Sequence, residues 1–260
     1  NDLINHKIIF STISMRFSNK LKNIKFSTII MDEAAQCMEA WMWGLLRPEL
    51  KYIYMAGDPH QLPALVSEEG IILKHNISMM ERLLSLGYKS TLLSTQRRMH
   101  PDIVEFSNKT YYEGKLKTDY KPLEGNNEKP FEIININSKE EKIFTSYINK
   151  IEAEKCIELY KYFKNKNLFE KIIIITSYSA QCKLFGELDK NIEIHTVDSF
   201  QGHEADVVIL STVRTENIGF WADYRRLNVA MTRAKHILRI VGNTKCWTKG
   251  PLNDLINFYE

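Results

Sequence analysis

Apolar, β-branched runs recur along the chain at residues 6–10, 27–31, 52–56, 131–136, 171–176, 192–197, 206–213 and 237–241. Several are unbroken rather than alternating, which suits strands covered on both faces, as in a parallel sheet. Helical spacing separates many of them. Between residues 153 and 163, Ala153, Cys156, Ile157, Tyr160 and Phe163 fall on one stripe, and Glu154, Lys155 and Glu158 lie off it. Strands that alternate with such helices predict βαβ units and an α/β fold. Residues 117–130 hold Pro122, Gly125, Asn126, Asn127 and Pro130, a cluster of turn formers. That loop falls just inside a second domain, and the hinge between domains is expected near residues 90–96. There is no internal repeat and no long low-complexity tract.

The composition narrows the class only a little. A chain of 260 residues with 44% hydrophobic and 26% charged positions reads as globular, with room for one large domain or two modest ones. Its formal charge of +3 neither proves nor excludes a nucleic-acid partner. The four cysteines are scattered, with no CxxC pair and no zinc spacing. Reduced thiols in a cytoplasmic or nuclear protein are expected. No apolar run approaches the roughly 18 residues of a membrane span, and no signal peptide opens the chain. A first residue of Asn rather than Met fits a fragment or a processed product.

Two strings change the picture. IIMDEAAQ (residues 29–36) and YMAGDPHQLPAL (residues 54–65) each end an apolar run in acidic and amide side chains. A buried strand that releases carboxylates at its C-terminal end is how nucleotide-hydrolysing α/β folds hold Mg²⁺ and an attacking water. Asp32 would hold the metal, directly or through water, and Glu33 can act as general base on the attacking water. An isolated Asp-Glu pair equally serves as a helix cap. Gly57 and Pro63 shape a tight loop around Asp58 and Gln61. The Gln61 amide, which both donates and accepts, suits a γ-phosphate or its water. An ordinary Asp-Pro turn is the plainer reading of that loop.

With four further strings in order, the sequence resembles the superfamily 1B helicases of the senataxin and nonsense-mediated-decay type. DEAAQ matches that family's motif II and GDPHQLP its motif III. LLSTQRRMHPDIVEFSNKTYYEGKL (residues 92–116) resembles its QYRMHP element, and IIITSYSAQ (residues 173–181) its TPY-x-x-Q element. HTVDSFQGHEADVVILSTVR (residues 195–214) resembles motif V, and DYRRLNVAMTRAKHILRIVGN (residues 223–243) motif VI. The resemblance implies two RecA-like P-loop NTPase domains with parallel sheets. The first, residues 1–94, would be truncated at its N-terminus and carry motifs II and III. The second, residues 95–260, would carry the QRRMHP element and motifs V and VI. The family binds ATP between these domains and single-stranded RNA or DNA across their tops.

On this resemblance Arg98 and Arg233 reach the γ-phosphate as arginine fingers. Gln96 orders the hinge or the adenine pocket, Gly202 permits close backbone approach, and Glu204 accepts from ribose hydroxyls. Ser11, Thr12, Tyr178 and Thr196 stand at strand ends where hydroxyls grip a phosphate backbone, and Tyr178 can also stack on a base. Plain capping is the alternative for each of the four. Arg97 stands where the family usually has Tyr, and His203 where it often has Arg or Gln.

No GxxxxGK[ST] string occurs among the 260 residues. The one Gly-Lys pair, Gly114-Lys115, lacks both the earlier Gly and the following Ser or Thr. The expectation is therefore the C-terminal portion of a monomeric, ATP- and Mg²⁺-dependent 5′–3′ helicase, with the phosphate loop supplied upstream and little activity in this chain alone. The alternatives are a catalytically inactive helicase-like scaffold and a piece of a viral replicase.

Overall fold

The computed structural model describes residues 2–259. The chain divides into two compact units, Asn1–Thr91 and Leu92–Glu260.

The first unit is built on two parallel strands, β1 (Thr28–Met31) and β2 (Tyr52–Met55), paired in register from Thr28 opposite Tyr52 to Met31 opposite Met55. Short helices α1 (Glu39–Trp43), α2 (Glu68–Ile72) and α3 (Met79–Ser85) follow. One face of the strand pair, with Met31, Ile53 and Met55, packs on Cys37, Met42 and Met79. A two-toothed ion pair from Arg82 to Glu39 (2.6 and 2.7 Å) ties α3 to α1. The apolar run at residues 6–10 forms no strand. Among the described residues it pairs with no strand, and Phe10 is left 94% exposed. An extended segment without a hydrogen-bonded neighbour is not a strand.

The second unit holds a five-stranded parallel sheet in the order β5 (Phe131–Asn135), β11 (Ala234–Gly242), β10 (Ala205–Ser211), β8 (Ile172–Thr176), β9 (Ile194–Thr196). Two smaller pairs flank it: β3 (Thr95–Gln96) with β4 (Lys117–Thr118), and the hairpin β6 (Glu141–Ile143) with β7 (Ser146–Ile148). The helices are α4 (Pro101–Tyr111), α5 (Lys150–Asn165), α6 (Ser179–Leu188), α7 (Tyr224–Met231) and α8 (Pro251–Tyr259). Every residue of β8 and β10 is buried, as their unbroken apolar runs require. The α5 stripe of Ala153, Cys156, Tyr160 and Phe163 packs on Ile174, Val207, Ile209 and Val241. Successive strand residues point to opposite faces, so Ile173, Ile175, Val208 and Leu210, all fully buried, lie on the other face. There α7 packs on β10 and α4 on β11. No described helix is long and apolar enough to cross a membrane, and all four cysteines are free thiols.

Candidate functional site

Because β1 and β2 run parallel, both strings of acidic and amide residues leave the sheet at the same edge, the C-terminal edge at which α/β sheets bind ligands. Two backbone bonds lace the exits together: Ala56 N–H donates to Met31 O (2.8 Å) and Ala34 N–H to Ala56 O (2.7 Å). Gly57 sits within that lacing. A β-carbon there would lie 2.8 Å from the Ala35 nitrogen, closer than side chains come to backbone. Asp32 and Glu33 are exposed. Glu33 adopts a left-handed backbone (φ 51°) that turns its side chain out of the strand direction. Its Oε2 accepts from Gln36 Nε2 (2.7 Å). Across the edge, Asp58 closes its own loop, accepting from the His60 N–H (2.9 Å) and from Gln61 Nε2 (3.0 Å). The Gln61 amide is thereby oriented with its donor side on Asp58.

In the second unit the residues from three distant strings meet. Arg98 Nε donates to Glu204 Oε2 (2.6 Å), and its Nη1 to Thr232 O (3.1 Å). Arg233 lies beside them, joined to Thr232 Oγ1 (3.2 Å), His203 O (3.2 Å) and Val229 O (3.0 Å). It differs from the sequence expectation in being 2% exposed. Its fork is folded under the Thr232 turn, while the guanidinium of Arg98 stays partly open. The Gln96 side chain makes four hydrogen bonds among the described residues, three of them to its own loop. Its Nε2 donates to Met99 O (2.9 Å) and Thr118 Oγ1 (3.0 Å). Its Oε1 accepts from the N–H groups of Arg98 (3.0 Å) and Met99 (2.8 Å). Both amide hydrogens and both lone pairs are spent on ordering the loop that presents Arg98. Gly202 meets nothing within 4 Å of a β-carbon, so its glycine answers a backbone demand (φ 82°) and not crowding within the chain.

The four strand-end residues fare differently. Tyr178 is 2% exposed. Its ring is packed edge-on against Tyr147 and tilted against Phe220, and its hydroxyl accepts from the Phe220 N–H. Base stacking by Tyr178 is therefore corrected: no face of that ring is open. Thr196 and Ser199 cap each other at the end of β9, through Thr196 N–H to Ser199 Oγ (3.0 Å) and Ser199 N–H to Thr196 Oγ1 (3.2 Å). In the first unit Ser11 donates to Thr12 O (3.0 Å), and Thr12 precedes a short 3-10 turn without capping it. Neither follows a strand, contrary to the sequence expectation.

A cluster the sequence reading did not single out lies where β10 ends. Val213 holds a left-handed backbone (φ 69°), an outlier for a β-branched residue. Its N–H donates to the buried Glu152 (2.8 Å) and its carbonyl accepts from Asn149 Nδ2 (3.2 Å). Glu140 holds Arg214 through both carboxylate oxygens (3.0 Å each), and the guanidinium lies 3.8 Å from the centre of the Tyr147 ring. Burial raises the Glu140 carboxyl, but its bonds to Arg214, Thr215 and Glu216 outweigh that and leave it below the ordinary range. Only the polar string S-x-V-R at the end of an apolar run hinted at this clamp.

The cluster of Arg98, Glu204 and Arg233 lies at the N-terminal ends of β10 and β11. Parallel strands whose C-terminal ends carry carboxylate and amide groups, as β1 and β2 do, are the arrangement of nucleotide-hydrolysing α/β proteins. The comparisons say which. Two family models, both described as AAA domain, match residues 2–69 and 75–245. An uncharacterised ATP-dependent helicase of Methanocaldococcus jannaschii is 38% identical over 91% of this chain and 39% of its own length. Regulator of nonsense transcripts 1 of Dictyostelium discoideum is 36% identical over 93% of this chain and 20% of its own. Helicase SEN1 of Saccharomyces cerevisiae is 35% identical over 96% and 13%. The chain belongs to the superfamily 1 helicases of the senataxin and Upf1 type, a family of ATP-binding P-loop NTPases. It spans less than two fifths of the length of each of these relatives.

Proposed function

We propose that the chain is the C-terminal portion of an ATP-dependent helicase that couples Mg²⁺-ATP hydrolysis to 5′–3′ movement along single-stranded RNA or DNA. Residues 1–94 would be the latter part of a first RecA-like domain and residues 95–260 a second. The observation that carries this reading is the lacing of the Asp32-Glu33 exit to the Gly57–Gln61 exit, which sets a carboxylate pair and an oriented amide at one sheet edge. Among the described residues no three His, Cys, Asp or Glu side chains converge. That fits Mg²⁺, which keeps most of its shell as water and phosphate and takes one or two carboxylates from the protein. Asp32 would hold it, and bound there it would neutralise phosphate charge. Glu33 would take the proton of the attacking water, with Gln36 fixing one of its oxygens. Gln61 would orient that water.

Arg98 is proposed as the residue that meets developing phosphate charge. Its half-open pairing with Glu204 is of the kind worth little in water, and it can be exchanged for a phosphate oxygen. Arg233, held beneath, would fix the Thr232 turn and reach phosphate only on rearrangement. Glu204 would accept from a ribose once released, and Gly202 would admit the nucleotide backbone. Ser11, Thr12 and Thr196 would contact nucleic-acid phosphates without reading sequence. A monomeric protein acting in the cytoplasm or nucleus completes the reading.

The test is steady-state ATP turnover by the full-length protein with and without single-stranded oligonucleotides. Stimulation by the oligonucleotide is expected. Glu33→Gln should abolish turnover, by about 100-fold or more, the scale of a lost general base, while nucleotide binding persists. Normal turnover by that variant would remove Glu33 from the role. No turnover by the wild type would favour a nucleic-acid-binding scaffold.

A further inference from the structure

Glu141–Ile143 and Ser146–Ile148 pair as an antiparallel hairpin, with Ile143 opposite Ser146, so Phe144 and Thr145 form a two-residue turn. Phe144 has φ 52°, and Thr145 is not among the residues with positive φ. A two-residue hairpin turn with positive φ at its first position is the class in which glycine is the usual occupant. A bulky side chain there is a backbone outlier. The ring gains nothing from the chain in return, because Phe144 is 93% exposed. The protein thus carries strain and a bare apolar ring at the same residue, a combination that points to use at a binding site.

The surroundings indicate the ligand. Ser146 Oγ accepts from the Ala180 N–H at the start of α6, and Tyr147 lies edge-on to Tyr178. The hairpin is therefore anchored at the C-terminal end of β8, the end of an α/β sheet that binds ligands. Its acidic residues are neutralised, Glu140 by Arg214 and Glu141 by Lys150. Lys139 and Lys142 are exposed and make no ion pair among the described residues. An open aromatic face beside free ammonium groups suits single-stranded nucleic acid, whose bases stack and whose phosphates attract cations.

We propose that Phe144 is a base-stacking residue for single-stranded nucleic acid, carried on a turn built for glycine, and that it takes the part the sequence had suggested for Tyr178. The inference rests on the nucleic-acid-motor reading above.

It is tested with fluorescein-labelled oligo(dT) and oligo(U) in anisotropy titrations of the intact protein at fixed salt, alongside thermal unfolding. Phe144→Gly should weaken binding by about 5- to 100-fold, the range for losing one stacked base. The same variant should melt no lower than the wild type, since glycine relieves the turn. Phe144→Trp should keep the affinity, and Lys142→Ala should lower the salt dependence of binding. If Phe144→Gly binds as the wild type does, the stacking role is overturned and the motor reading stands. If its weaker binding comes with a lower melting temperature, the ring is structural and the proposal fails. If the wild type binds neither oligonucleotide, both readings fall.

Discussion

Glu152 is fully buried, and its environment acts on its proton in two directions. Loss of solvent outweighs the hydrogen bonds from Ser211, Val213 and Thr212, which pull the other way, and raises its pKa to about 7. The unfolded chain returns it to the ordinary 4.5. Between those values the folded state binds the proton more tightly than the unfolded state, so this group's contribution to stability falls as pH rises from about 4.5 to about 7 and is level above that. At about 1.4 kcal/mol per pKa unit, the change is on the order of 3 kcal/mol. Glu152→Gln keeps the shape and an acceptor for Ser211 and Val213 but cannot titrate. Urea midpoints at pH 5 and pH 8 should therefore drop more for the wild type than for the variant. Parallel drops would mean that the carboxyl does not titrate in this window. None of this was legible in the sequence, where Glu152 reads as one charge on a helix. Nor was the meeting of Arg98 with Glu204, which lie 106 positions apart. Motif order named the candidate residues of the site, but burial decides which of them are open. Tyr178 and Arg233 carry the right chemistry for their motifs and are both covered.

The sheet of the second unit was legible because its strands lie in unbroken apolar runs, and the α5 stripe because burial follows helical spacing. Residues 6–10 show the limit of that signal, since an apolar run specifies a strand only where a neighbour completes it. The β6–β7 hairpin was missed for the opposite reason: Phe occupies the turn position where glycine would have announced it. Two glycines test how well the elements are understood. In β11, a β-carbon on Gly242 would overlap Thr212 Oγ1 and lie 2.6 Å from Trp247 Cζ2, both buried. In α6, a β-carbon on Gly186 would meet nothing within 4 Å. Gly242→Ala should cost about 1–3 kcal/mol by overpacking, and Gly186→Ala should add about 0.5–1 kcal/mol by removing a glycine from a helix interior. Opposite shifts in the denaturation midpoint are expected, and shifts of the same sign would show that one of the two environments is misassigned.

At the scale of the whole molecule the two units differ in how completely their sheets are covered. In the second, all of β8 and β10 is buried. In the first, one face of the strand pair is bare, with Ile30 80%, Tyr52 58% and Tyr54 59% exposed. Two strands covered on one side are marginal in water, because too little apolar area leaves the solvent to offset the entropy of ordering them. Opening such a pair should cost far less than opening the five-stranded sheet, and amide exchange reads that cost directly. In hydrogen–deuterium exchange of this chain, residues 172–176, 205–211 and 234–242 should be the slowest. Residues 28–31 and 52–55 should exchange roughly 100-fold faster or more, the factor for a difference of about 2.7 kcal/mol in opening free energy. The acidic exit at Asp32-Glu33 hangs from that weaker pair. If that exit admits and releases a nucleotide, as proposed above, it is well placed on an element of low local stability, whereas Arg98, Glu204 and Arg233 are held by the rigid one. Equal protection of the two sets of strands would remove that division of labour and would mean that the bare face is covered in solution.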